Sequence, residues 1–138
     1  MIGIVVVTHG RLGDEMVRTL HGVLGPVHGL EAVCNLETDP EVVKAKIRRT
    51  IERVDEGEGA LVLTDMLGDT ATNMSLMVAG TARAEVVAGV NMPMLIKAAS
   101  ARGTMGLREL AAFIREYGRD HILWASERRR TTDGAVRR

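Results

Sequence analysis

The sequence predicts an open α/β sandwich in which helices cover both faces of a mainly parallel four-stranded sheet. Three observations carry that prediction. Four short apolar or β-branched runs recur along the chain, the segments between them space their apolar residues as helices do, and the two kinds alternate. Alternation of this kind implies parallel strands joined by right-handed crossovers. At 138 residues and 46% hydrophobic composition, the chain is expected to form one domain with a substantial core.

The first strand is Ile2 to Val7, an apolar run that stops at Thr8-His9-Gly10. A helix follows, with Leu12, Met16, Val17, Leu20 and Leu24 on one face, then a strand from Leu30 to Cys34. The second helix begins at Thr38-Asp39-Pro40-Glu41, with Asp39 as N-cap and proline in the first turn, and Val42, Val43, Ile47, Ile51 and Val54 recur on one face. Ala60 to Thr64 reads as the third strand. A shorter helix around Met74, Met77 and Val78 separates it from a fourth strand, Glu85 to Val90. Asn91-Met92-Pro93 breaks that run, and Pro93 to Ser100 and Gly106 to Tyr117 read as two further helices.

The segment His121 to Ala125, "HILWA", reads as a late fifth strand. It carries the chain's tryptophan, Trp124, poorly placed on a solvated edge, so pairing with another subunit is expected. The domain is expected to span residues 1–126, and residues 127–138, with five arginines against two acids, to form a flexible basic tail.

Eighteen basic and eighteen acidic residues cancel, so the body of the protein lacks the positive excess that nucleic-acid binding needs. With Phe113, Tyr117 and Trp124 as its aromatic residues, it also lacks stacking platforms for bases or sugars. Cys34 is a single cysteine, which excludes an internal disulfide, and no segment approaches the roughly 20 apolar residues of a membrane span. The first apolar run has no charged leader, so a signal peptide is not expected and a cytoplasmic location is. Neither a Gly-Lys-Ser/Thr phosphate loop nor a Gly-x-Gly-x-x-Gly turn is present, which argues against a nucleotide enzyme. No cofactor is expected.

Ligands of open α/β sheets gather outside the carboxyl ends of the strands. Those ends are Thr8-His9-Gly10, Asp65 to Thr70, and Gly89-Val90-Asn91. His9 emerges beside glycines that permit close backbone approach. A carboxylate at Asp65, accepting a hydrogen bond from one imidazole nitrogen, fixes the tautomer and leaves the other as a nucleophile. The turn through Gly68, Asp69 and Thr70 then opens a helix whose unpaired N–H groups, with the Thr70 hydroxyl, suit a phosphoryl group. A phosphohistidine site fits these pieces. The bland alternatives are a structural loop histidine and an aspartate that caps a helix. His21, at a helix end, His28, beside a turn, and His121, opening the late strand, are weaker candidates, and none has metal-ligand spacing with cysteine or another histidine.

The blocks "IVVVTHG" at the start, "LTDMLGDTATN" at Leu63 to Asn73 and "EVVAGVNMPML" at Glu85 to Leu95, in this order, resemble the mannose-type enzyme IIA family of the phosphoenolpyruvate-dependent sugar phosphotransferase system. The resemblance covers about Met1 to Ala125. It implies a phosphotransferase subunit that accepts phosphoryl on His9 from the histidine-containing phosphocarrier protein and passes it to enzyme IIB, with Asp65 orienting His9. Around the phosphoryl, Thr8, Gly10, Gly68, Asp69 and Thr70 are the expected binding residues. The resemblance further implies a homodimer that exchanges a C-terminal strand, and contact with the membrane only through a permease complex.

The family block reads Asp, two variable residues, Gly-Gly-Ser-Pro, then Asn. Here Asp69 replaces the second glycine, Thr70 the serine and Ala71 the proline. Thr70 keeps the hydroxyl. A carboxylate at position 69 that points inward repels a phosphoryl group by roughly 3 kcal/mol at ~6 Å before salt screening, whereas one that points to solvent has little effect. This departure favours a second reading, a regulatory module whose phosphorylation state is read without sugar transport. A third, a small tetrapyrrole metal chelatase, has against it Asp65, the third-strand block and the lack of a second histidine at a strand end.

Overall fold

The structure, a computed structural model, describes residues 1–130. Its sheet has the order β2-β1-β3-β4, all parallel, formed by β1 (Gly3–Val7), β2 (Leu30–Val33), β3 (Ala60–Thr64) and β4 (Ala84–Ala88). The two central strands, β1 and β3, are buried at every residue, which is why both read as unbroken apolar runs rather than alternating ones.

The helices are α1 (Leu12–Leu24), α2 (Pro40–Val54), α3 (Thr70–Ala79), α4 (Met92–Ala101), α5 (Leu107–Asp120) and α6 (Ala125–Arg130). Alternate residues of β1 feed two cores. Ile4 and Val6 pack with Met16 and Leu20 of α1, Leu95 of α4 and Ile114 of α5. Val5 and Val7 pack on the other face with Val43 and Ile47 of α2 and Val78 of α3. The result is three layers, helix, sheet and helix, with side chains segregated by the two-residue period of the strand. Asp39 caps α2 as its sequence predicts, its Oδ1 accepting from the Glu41 N–H at 2.8 Å. Gly3 lets α2 close on the sheet, since a Cβ there would overlap Val54.

At the amino edge of the sheet the buried Arg102 guanidinium donates to the carbonyls of Ile2 at 3.2 Å and Gly29 at 3.3 Å. That edge is tied shut. The carboxyl edge holds the open loops.

The expected fifth strand at His121–Ala125 is absent. His121 ends α5, with Nδ1 2.8 Å from the Tyr117 carbonyl and its ring stacked on Tyr117 at 3.8 Å. Ile122 to Trp124 follow without regular structure, and α6 begins at Ala125. The physical reason is local: the Trp124 carbonyl accepts from Glu127 and Arg128, opening a helical turn in a segment rich in helix-forming Ala, Glu and Arg. Residues 127–130 of the expected tail lie in α6, and the rest of that tail, residues 131–138, lies outside the described residues. Among the described residues no helix is long and apolar enough to cross a membrane.

Candidate functional site

The strand register builds the site. Val7 of β1 lies opposite Thr64 of β3, so the next residue of each strand, Thr8 and Asp65, leave the sheet side by side, and His9 follows directly. Thr8 is fully buried; its hydroxyl donates to the His9 carbonyl at 3.1 Å and accepts from the Gly13 N–H at 2.7 Å, locking the loop onto the start of α1. Its side chain supports the site from beneath. Gly10 takes φ +54° while its carbonyl accepts from Asn35 N–H at 3.0 Å, so the turn after His9 is pinned to the β2 end as well.

Asp65 grips His9 twice through one oxygen. Its Oδ2 accepts from the His9 backbone N–H at 2.9 Å and lies 2.8 Å from ring atom Nδ1. Oδ1 accepts from the Met66 N–H at 3.0 Å. With the carboxylate accepting, Nδ1 carries the proton and Nε2 is the nitrogen turned outward. The imidazole side chain is 33% exposed, against 11% for Asp65, so the ring is within reach of a macromolecular partner while its orienting carboxylate is not.

Asp69 points inward. It is the N-cap of α3, with Oδ1 accepting from the Thr70 N–H at 2.7 Å, and that same oxygen stands 3.3 Å from His9 Nε2. Gly68 reaches this position with φ +84°, which favours glycine, and Thr70 begins the helix half-buried. The third strand end lends support only. The N–H groups of Gly89 and Val90 donate to the Thr64 carbonyl, and Asn91 is turned to cap α4 through the Met94 N–H and to hold the Gly118 carbonyl.

Two residues missed by sequence reasoning steady the Asp65 loop. The Thr72 hydroxyl donates to the Met66 carbonyl at 2.6 Å and sits 2.6 Å from that of Thr64. The available signal was a threonine directly before each key residue, Thr8 before His9 and Thr64 before Asp65, where an apolar strand would otherwise continue. The other histidines have other occupations. His28 pairs with exposed Glu56 and His121 closes α5, while His21 is in the last turn of α1 with Nε2 buried. Among the described residues no three His, Cys, Asp or Glu side chains group as metal ligands.

The charges act on each other as their distances require. The hydrogen bond to Asp65 is the largest influence raising the His9 pKa; burial opposes it, and the charges of Asp65 and Asp69 add to it. For Asp65, burial disfavours ionisation, but the His9 N–H, ring and charge outweigh it and hold the carboxyl below its usual range. Both carboxylates thus favour the protonated form of the ring. Chemically, the arrangement offers a nucleophilic nitrogen at Nε2 once the proton there departs, with the N-terminus of α3 alongside to favour an anion.

Comparison with known proteins bears on this geometry. Residues 3–115 match the family model EIIA-man, described as "PTS system fructose IIA component". The chain is 30% identical over 124 residues to the "PTS system mannose-specific EIIAB component" of Escherichia coli (strain K12), covering 88% of this chain and 38% of the relative's length. Among solved structures, the "mannose/sorbose specific IIA subunit of phosphotransferase system" from Enterococcus faecalis superposes with TM-score 0.79 at 27% identity, covering 88% of this chain and 92% of that one. The phosphotransferase system component EIIA from Streptococcus agalactiae shares the fold with TM-score 0.84 at 23% identity, covering 92% and 99%. The match runs from the first strand, through the loops that carry His9 and Asp65, into α5: the chain belongs to the mannose-type IIA family of the phosphotransferase system.

Proposed function

We propose that the chain is a phosphocarrier subunit of a sugar phosphotransferase system, accepting a phosphoryl group on His9 Nε2 from the histidine-containing phosphocarrier protein and passing it to enzyme IIB. The observation that carries this reading is the double grip of Asp65 on the His9 N–H and Nδ1, which leaves Nε2 as the nitrogen not committed to Asp65. In the step itself the ring is neutral, any Nε2 proton having been lost to solvent beforehand; the Nε2 lone pair attacks phosphorus, the donor's P–N bond breaks, and its electron pair returns to the donor imidazole. The proton stays on Nδ1, hydrogen-bonded to the Asp65 carboxylate, whose charge offsets the positive ring that forms. Little acid–base work is needed, so positioning and charge neutralisation dominate. Gly10, Gly68 and Thr70 line the phosphoryl side, Thr8 holds the loop, and Asp69 must yield its place there.

Exposed Leu12, Met66 and Leu67 flank the imidazole loops and suit the docking of a protein rather than a free metabolite. The reading includes a homodimer in the cytoplasm, joined to a membrane permease through its partners. Exposed Ile122, Leu123 and Trp124, and a groove of about 240 Å³ along β4 lined in part by Val87, Met94 and Ile122, support burial of this segment against a second subunit. A second reading, a phosphorylation-dependent regulatory module without transport, is favoured by one observation, the Asp69 oxygen at Nε2.

Incubation with phosphoenolpyruvate, enzyme I and the phosphocarrier protein, followed by intact mass, tests the reading. One acid-labile phosphoryl group per chain is expected, discharged when enzyme IIB is added. An unlabelled chain beside a fully charged donor would rule the carrier function out, and a labelled chain that no enzyme IIB discharges would favour the regulatory reading.

A further inference from the structure

One carboxylate oxygen of Asp69 occupies two places that a phosphoryl oxygen would need. It stands 3.3 Å from the nucleophilic Nε2 and takes the Thr70 N–H at 2.7 Å. The arrangement is built in, because Asp69 is the N-cap of α3, with the extended backbone (φ −124°, ψ 175°) such caps adopt. We propose that Asp69 is an internal anion that closes the phosphoryl site at rest, and that phosphorylation requires its displacement. The inference rests on the phosphohistidine reading of His9 and adds to it a positioning residue that sets when the site is open.

The exchange is balanced in hydrogen bonds. When Asp69 swings out, its ion pair with the ring and its bond from Thr70 are both lost, and the freed Thr70 N–H becomes a donor to the incoming phosphoryl oxygens. Left in place, the carboxylate opposes the reaction in two ways. It repels a dianionic phosphoryl group, and it favours the protonated ring that cannot attack. The charged groups that face His9 are Asp65 from the end of β3 and Asp69 from the start of α3; Arg11, at the start of α1, is turned to Glu15 at 3.9 Å. Among the described residues no cation pairs with Asp69 from the α1 side. A donor protein that brings positive charge to this loop would draw Asp69 away and open the site as it docks.

Asp69→Asn is the discriminating variant, since asparagine keeps the helix cap and removes the charge; Asp69→Gly removes both. Two readouts are taken on the intact protein: the NMR titration of the His9 ring, and labelling by phosphoramidate, a small donor that needs no protein partner, followed by intact mass. In Asp69→Asn the His9 midpoint is expected to fall, and labelling near neutral pH to rise by about tenfold. The gain should shrink at high pH, where the wild-type ring is already neutral and only the repulsion remains. An unchanged midpoint, or an unchanged labelling rate, would overturn the proposal. Should the phosphocarrier protein label neither wild type nor variant while phosphoramidate labels Asp69→Asn faster, the internal anion stands and the carrier reading falls.

Discussion

His9→Gln is expected to abolish phosphoryl labelling altogether. Glutamine is a severe test because its amide retains a donor for Asp65 and its size roughly fills the same space, so the loop held by Thr8 and Gly10 persists and only the nucleophile goes. The His9 side chain is one-third exposed and outside both cores, so thermal stability should change little. No other imidazole can take over. His28 is held by Glu56, His121 is stacked on Tyr117, and His21 has a buried Nε2, and none of them is oriented by Asp65 as His9 is. Residual labelling at the wild-type rate would place the chemistry elsewhere.

Asp65→Asn is expected to slow labelling by about two to four orders of magnitude, the penalty seen when a histidine is left in the wrong tautomer. The asparagine amide can donate to Nδ1, which moves the ring proton to Nε2 and blocks attack there. It also removes the charge that stabilises the positive ring after transfer. The pH dependence separates this from a folding defect. In the wild type, labelling should rise with pH through a His9 pKa raised chiefly by Asp65, because only the neutral ring attacks. Loss of Asp65 should lower that midpoint while the maximum rate collapses. The same pair contributes to stability in a defined window. The His9 contribution is full below the ordinary imidazole pKa and lost as pH rises through the raised folded value, while that of Asp65 is present above the ordinary carboxylate pKa and lost as pH falls through the lowered one. The wild type should therefore gain most from the pair between those limits, and Asp65→Asn should flatten the profile there.

Much of this molecule is legible in its sequence for identifiable reasons. β1 and β3 are central strands with both faces covered, so burial imposes uninterrupted apolar runs. Asp39 before Pro40 marks a helix start by local chemistry alone. His9 and Asp65 are legible as neighbours because parallel strands in one sheet must deliver their carboxyl ends to one edge, and the register between Val7 and Thr64 makes that neighbourhood literal. Other features depend on three-dimensional choices that no pattern reports. Asp69 is legible as a carboxylate in the phosphate turn, yet its approach to Nε2 depends on where α3 enters, beside Gly68 with its φ of +84° and the Thr72 hydroxyl on the Met66 carbonyl. The run Ile122 to Trp124 signals a need for burial without naming what covers it. In the single chain it stays exposed, and the Ala-Glu-Arg sequence beyond it turns into a helix instead of a strand.

In the proposed reaction Asp65 commits Nδ1 and so makes Nε2 the phosphoryl acceptor. The most direct measurement is the position of the phosphoryl on the His9 ring, read by nitrogen and phosphorus NMR of the phosphorylated protein with labelled histidine. Phosphorus is expected on Nε2, with a protonated Nδ1 still held by the Asp65 carboxylate. Phosphorus on Nδ1, or on any residue other than His9, would contradict that reaction.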